Sequence, residues 1–327
     1  MGKRRVLATG SLWSLLIYMI ISELEVIKKT KYFFSKAGIH KSVRKNLECV
    51  TFGNSNWNGK HRLMMLYYLI APIVYRIKYP YLLNSDFYCI DQGFDIMSIV
   101  GRNNYTLIED GLGDYIERDF AKVKSFKDKL YGLLYGPMYN NSFGNNRLCN
   151  KIILTMNPTT KVMFEKGYVV NLNDLWSNSS AEKKKYILSV FNLSESDLSF
   201  IQSKKVLLLT QPLSEDKIIS EEKKISIYRE IVNRFGEDNI LIKIHPREKT
   251  DYRTIFPKAI VFDKIVPMQL FNLLNVSFET VATISSTAAV SFINGKTNVY
   301  FEGTEKYPEI AARYGKITYE SLLQSMH

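Results

Sequence analysis

A chain of 327 residues is longer than one hydrophobic core usually serves, so it reads as two domains of ordinary length. Hydrophobic residues make up 46% and charged residues 23%, which excludes a disordered or disulfide-stapled chain. With 44 Lys and Arg against 32 Asp and Glu, the formal charge of +12 favours an anionic partner, and nucleic acid, anionic lipid and a nucleotide-sugar all qualify.

Residues 3–22 combine a basic start with an apolar middle, as a signal peptide does. Thr9, Gly10, Ser11 and Ser14 interrupt the run and no small-residue cleavage site follows, so the better parse is a buried strand over Val6–Ala8, a turn at Thr9-Gly10-Ser11 and a helix to about Glu25. Strands are expected over Lys31–Ser35 and Leu47–Phe52, a buried helix over Arg62–Lys78, strands over Asp86–Ile90 and Tyr105–Ile108, and a Lys-rich amphipathic helix over Phe120–Leu134. Tyr135–Asn150, rich in Gly and Asn, reads as an exposed loop, and Lys151–Met156 as a further strand. The polar stretch Ser177–Lys185 is the expected link, dividing the chain into domains 1–185 and 186–327. A second series follows: strand Val206–Thr210, helix Ser220–Phe235, strands Ile240–Ile244 and Ala259–Phe262, helix Met268–Leu274 and strand Thr280–Ile284. Such alternation means parallel sheets with helices on both faces. The expected fold is therefore α/β and GT-B-like, two Rossmann-like domains facing across a cleft. The charge-rich runs Glu182–Lys185 and Glu221–Lys224 mix signs at helical spacing and read as solvated faces.

Three polar islands stand where strands stop, which is where open α/β sheets keep their chemistry. Glu109-Asp110-Gly111, with Gly113 beyond it, sets two acids on a tight turn; neighbouring carboxylates in a partly dry cleft cannot both ionise freely, so one could accept a proton from a sugar hydroxyl. Asp-Gly is also among the commonest plain turns. Lys243-Ile244-His245-Pro246-Arg247 places an imidazole between two cations, a set that could hold and protonate a leaving phosphate, or else form an ordinary solvated proline turn. Ser285-Ser286-Thr287 precede what reads as a helix with small residues Ala288 and Ala289, where hydroxyls and free N–H groups could bind phosphate or merely cap the helix.

Absences narrow the class. Neither a P-loop nor a dinucleotide fingerprint occurs, and no Asp-x-Asp is present to grip a diphosphate through a metal, so no metal and no cofactor are expected. Cys49, Cys89 and Cys149 are odd in number and widely spaced, which fits neither a disulfide framework nor a zinc site but suits free thiols in a reducing cytoplasm.

This combination resembles the bacterial sialyltransferases, and most closely glycosyltransferase family 52. The residues that carry the resemblance are Glu109-Asp110-Gly111, His245-Pro246, Ser285-Ser286, the opening run Leu7–Ile17 and Leu207–Leu213. It implies inverting, metal-independent transfer of sialic acid from CMP-sialic acid to a galactose-type hydroxyl of a surface polysaccharide or lipooligosaccharide. Under it, Asp110 or Glu109 is the base, with Asp216 a second candidate, and His245 is the acid. Donor contacts fall on Lys243, Pro246, Arg247, Ser285, Ser286, Thr287, Gln211, Thr9 and Gly10, and acceptor-side roles on Gly111 and Gly113. The expected partners are the nucleotide-sugar and a glycan, lipid-linked in one version. Peripheral contact with an anionic membrane and a homodimer stay open, and nucleic acid is not expected. Two alternatives remain: a glucosyl-type transferase with another nucleotide-sugar, and a non-catalytic basic anion-binding protein.

Overall fold

The protein is described by a computed structural model covering residues 3–53, 61–115, 129, 132–134, 138, 142–292 and 297–324. It divides into two compact units, Met1–Asn192 and Leu193–His327.

In the first unit, seven parallel strands form one sheet: β1 (Arg4–Thr9), β2 (Lys31–Ser35), β3 (Cys49–Phe52), β4 (Ser85–Cys89), β5 (Tyr105–Ile108), β6 (Cys149–Leu154) and β7 (Gly167–Val169). Their spatial order is β3-β2-β1-β4-β5-β6-β7, with Ala8 paired to Phe33 on one side and to Cys89 on the other. The winding direction reverses between β1 and β4, which opens a crevice at the strands' carboxyl ends. The first strand is followed at once by the helix Leu12–Ile21, capped by Ser11, whose hydroxyl accepts from the Ser14 N–H. This helix is shorter than the expected run to Glu25, because the chain turns extended at Ser22 before a second helix, Leu24–Lys29. The turn after β1 is packed backbone to backbone against the turn after β2: a Cβ on Gly38 would lie 1.9 Å from the Gly10 carbonyl oxygen. Among the described residues, no helix is long and apolar enough to cross a membrane, and the three cysteines are free.

The second sheet holds β8 (Val206–Leu209), β9 (Ile240–Lys243), β10 (Ile260–Phe262), β11 (Thr280–Thr283) and β12 (Asn298–Phe301), all parallel, in the order β10-β9-β8-β11-β12. The central strand β8 is buried at all four positions, as a strand covered by helices on both faces must be. Its switch of direction lies between β8 and β11.

Several expectations give way. The helix expected over Phe120–Leu134 lies mostly outside the described residues. The stretch expected as an exposed loop is held inward over 142–150, where the carboxylate of Asp91 accepts the Phe143 and Gly144 N–H groups, each at 2.7 Å, and Asn146 is buried. The units divide after Asn192 rather than at 185/186, since the helix Ala181–Val190 belongs with the first sheet. Asn46 Nδ2 donates to the Val190 carbonyl at 3.0 Å, and the buried Lys183 Nζ donates to the Ile20 carbonyl at 2.6 Å. Lys183 sits in a run expected to be solvated. Its ammonium instead neutralises the carboxyl end of the helix Leu12–Ile21.

Candidate active site

In the first unit, four carboxylates gather at the ends of β4 and β5: Asp91, Glu109, Asp110 and Asp114. The two expected acids have different environments. Glu109 is 2% exposed and its carboxylate is used up. Oε1 accepts from Trp13 Nε1 at 3.0 Å and from Thr155 Oγ1 at 2.5 Å, while Oε2 accepts from the Thr155 N–H at 2.8 Å and from the Tyr115 hydroxyl. Its backbone carbonyl holds the Ser14 hydroxyl at 2.7 Å. Four donors on one carboxylate tie β5, β6 and the helix after β1 together, so Glu109 is a keystone rather than a free base. Asp110 is only half-buried; burial pushes its carboxyl above the usual range, and the Ser11 hydroxyl opposes this in part.

Asp114, which the sequence reading did not single out, completes the pair. Gly111 adopts φ +146°, open to glycine and strained for other residues, and turns the chain into the short 3₁₀ segment Leu112–Tyr115 that contains Gly113. That turn brings Asp114 Oδ2 to 2.6 Å from the Asp110 N–H, with Gln92 Nε2 at 2.9 Å from Oδ1. Asp114 is buried beside Asp110, Asp91 and Glu109, and burial first, then these like charges, push its carboxyl up to about 7. Two aspartates four residues apart around a Gly-x-Gly were the available signal.

The sign of this shift yields a prediction. Folded Asp114 keeps a proton that the unfolded chain, with the ordinary carboxyl value of 3.8, gives up, so its contribution to stability declines as pH climbs between 3.8 and about 7. Asp114→Asn should match the parent near pH 4 and exceed it at pH 8 by at most about 4 kcal/mol in urea unfolding. An equal gap at both pH values would show that Asp114 is not held protonated.

The turn after β1 is less available than expected. Thr9 is fully buried and its hydroxyl accepts the Ser11 N–H at 2.9 Å, while Gly10 is committed to the contact with Gly38. Neither presents a free side-chain donor to a ligand.

In the second unit, the ends of β9, β8 and β11 are linked in that order. The His245 N–H donates to Glu248 Oε2 at 2.9 Å and to Thr210 Oγ1 at 3.3 Å. The next residue, Gln211, is joined to Ser285: its Oε1 accepts the Ser285 N–H at 2.9 Å, and its Nε2 lies 3.1 Å from the Ser285 hydroxyl. The half-buried His245 ring has a defined tautomer, because Nδ1 accepts the Arg247 N–H at 3.2 Å and the proton must then sit on Nε2. Burial and the cations Arg247 and Lys243 hold its imidazole below the usual value. Pro246 stops the strand between them.

The flanking cations do not line the strand end as expected. Lys243 is buried; its Nζ donates to the Ile244 carbonyl at 3.1 Å, lies over the Phe262 ring and is lowered by burial to about 8. Arg247 is exposed but engaged, forming a two-pronged ion pair with Asp216 in which Nη2 and Oδ2 are 3.0 Å apart. Asp216, the second base candidate, is thereby occupied. Ser286 Oγ accepts the Ala288 N–H at 3.3 Å as a local cap, and the segment Thr287–Phe292 is a 3₁₀ turn rather than the α-helix expected, so its aligned peptide dipoles are few. The Thr287 side chain lies outside the described residues. Among the described residues, no group of three or more His, Cys, Asp or Glu is arranged to hold a metal ion.

The model of a family described as glycosyltransferase family 52 matches residues 83–304. An uncharacterised protein of Haemophilus influenzae is 35% identical over 218 residues, 66% of this chain and 68% of that protein. Among solved structures, the chain is similar to a 2,6-sialyltransferase of a Photobacterium species, in complex with CMP and lactose, at a TM-score of 0.59 and 11% identity over 100% of this chain and 76% of that one. It is also similar to an α/β-galactoside α-2,3-sialyltransferase of Photobacterium phosphoreum, at a TM-score of 0.54 and 11% identity over 92% and 90%. A third is the GT-B domain of a sialyltransferase of Photobacterium damselae, at 0.53 and 11% over 98% and 96%. The fold is thus of the GT-B kind.

Proposed function

Because the chain belongs to glycosyltransferase family 52 and is a glycosyltransferase, we propose that it transfers sialic acid from CMP-sialic acid to a glycan hydroxyl, with inversion and without a metal. The observation that carries this reading is His245: its Nδ1 accepts the Arg247 N–H, which leaves Nε2 as a donor at the strand end that also bears the Gln211–Ser285 pair. Such a set suits the single phosphate of a nucleoside monophosphate sugar. The solved sialyltransferases to which the chain is similar, one in complex with CMP and lactose, support the same donor and a galactose-containing acceptor.

In this mechanism Asp110 takes the proton of the acceptor hydroxyl as that oxygen forms a bond to the anomeric carbon of the donor. The bond from that carbon to the phosphate oxygen breaks, and the electron pair leaves with CMP. His245 donates a hydrogen bond from Nε2 to the departing phosphate and stabilises the charge that gathers there, while the proton taken from the acceptor stays on Asp110 until solvent removes it. The hydroxyls of Ser285 and Ser286 hold the other phosphate oxygens. The acceptor is a surface polysaccharide or lipooligosaccharide.

The test is incubation with CMP-sialic acid and lactose, read by mass spectrometry for a product heavier by one sialyl unit. No transfer and no release of CMP, across several galactose-terminated acceptors, would favour another donor sugar. His245→Ala should lower kcat by roughly 100-fold, with a smaller change in the KM for the donor. Turnover close to that of the parent removes the histidine from the reaction.

A further inference from the structure

We propose that Lys224 is a positioning residue for His245, acting through Glu248. This inference rests on the proposed role of His245 in turnover. Lys224 lies in the first turns of the helix Glu221–Phe235 and is fully buried, although a cation near a helix amino-terminus opposes the helix dipole. A charge so placed needs strong partners. Its Nζ is 3.0 Å from Glu215, 3.1 Å from Glu221 and 3.7 Å from Glu248.

Each of these carboxylates holds a piece of the two loops that carry the chemistry. Glu215 Oε1 accepts the Lys249 N–H at 2.6 Å, and Glu221 Oε1 accepts the Thr250 hydroxyl at 2.7 Å. Glu248 accepts the His245 N–H on Oε2, together with the Thr210 hydroxyl, and the Tyr252 hydroxyl on Oε1 at 2.7 Å. Only an ionised carboxylate accepts all three; a proton on Oε2 would confront the His245 N–H with a second donor.

Burial pushes the Glu248 carboxyl upward, and three hydrogen bonds and Lys224 oppose it. The other groups facing it are Tyr252, the Tyr228 hydroxyl, which itself accepts the Gln211 N–H, and Lys243, which like Lys224 favours its ionised form. Glu215 and Glu221 compete with it for Lys224 and disfavour that form. Lys224 is the cation set directly against Glu248, and His245 is where its effect is read.

The experiment compares the parent with Lys224→Met, Lys224→Arg, Glu248→Gln and the Lys224→Met/Glu248→Gln pair, measuring CMP-sialic acid turnover against pH and the carboxyl ¹³C shift of Glu248. In Lys224→Met, Glu248 should titrate about one pH unit higher or more, and the acid limb of kcat should move with it, with kcat at least about tenfold lower at pH 6.5. Lys224→Arg should restore both, and Lys224→Met should no longer move the limb when Glu248 is Gln. An unchanged Glu248 titration in folded Lys224→Met overturns the inference. So does a loss of rate that is uniform in pH, which marks a purely structural lysine. If Lys224→Met does not fold, Glu248→Gln decides: turnover equal to the parent overturns it, and at least a tenfold lower kcat supports it. A parent that turns over no CMP-sialic acid instead refutes the reading of the reaction, and the ¹³C titration still tests the link from Lys224 to Glu248.

Discussion

Asp110→Asn is expected to lower kcat by roughly 1,000-fold while shifting thermal unfolding by no more than about 2 °C. The two halves of that expectation come from one environment. Asp110 is half-buried and its side chain is held by the Ser11 hydroxyl, a contact an amide of the same shape retains. The fold therefore has little to lose. The reaction loses its proton acceptor, because an amide oxygen cannot take a proton at neutral pH. General bases contribute between about 100- and 10,000-fold, and a carboxyl raised by burial lies nearer the optimum than an ordinary one. The acid limb of the parent's rate profile should rise through an apparent value belonging to Asp110 and Asp114 together, since the two are joined through the Asp110 N–H. If Asp110→Asn turns over within tenfold of the parent, the base is elsewhere.

The adjacent residue should give the opposite result. Glu109→Ala is expected to lower the unfolding midpoint by roughly 10 °C or more. Truncation leaves Trp13 Nε1, the Thr155 N–H, the Thr155 hydroxyl and the Tyr115 hydroxyl without the acceptor they share. An unsatisfied buried donor costs about 1–3 kcal/mol. Even after the hydroxyls rotate to other partners, about 4 kcal/mol is a fair expectation against a total stability of about 5–15 kcal/mol. Differential scanning calorimetry of the two single variants separates the roles of neighbouring acids. A Glu109→Ala protein with the parent's midpoint would mean that the four bonds contribute nothing net.

Most strands were legible because their burial is written in uninterrupted apolar runs. Val206–Leu209 needs no partner to be recognised as a central strand, and its expected bounds differ from the observed ones by one residue. Helix starts were legible where a hydroxyl precedes the run, as at Ser220, which caps the helix Glu221–Phe235. What resisted reading was the environment of charge. Lys183 and Lys224 belong to runs whose composition says solvent, yet both are buried, because their partners come from distant positions: the Ile20 carbonyl for one, Glu215 and Glu248 for the other. The same holds for the acids. Glu109 and Asp110 are equivalent in sequence, and only the Thr155 and Trp13 contacts, 46 and 96 residues away, distinguish a locked carboxylate from an accessible one. Asp216 was eligible as a base until Arg247, 31 residues later, claimed it.

The bare contact between positions 10 and 38 has an outcome for anyone who surveys this enzyme by saturation mutagenesis. Every replacement at 38, beginning with alanine, must push two loops apart, so the position will score as dead alongside true participants in turnover. A screen that reports activity alone will place it in the catalytic set. Measuring soluble yield in parallel will return it to the scaffold.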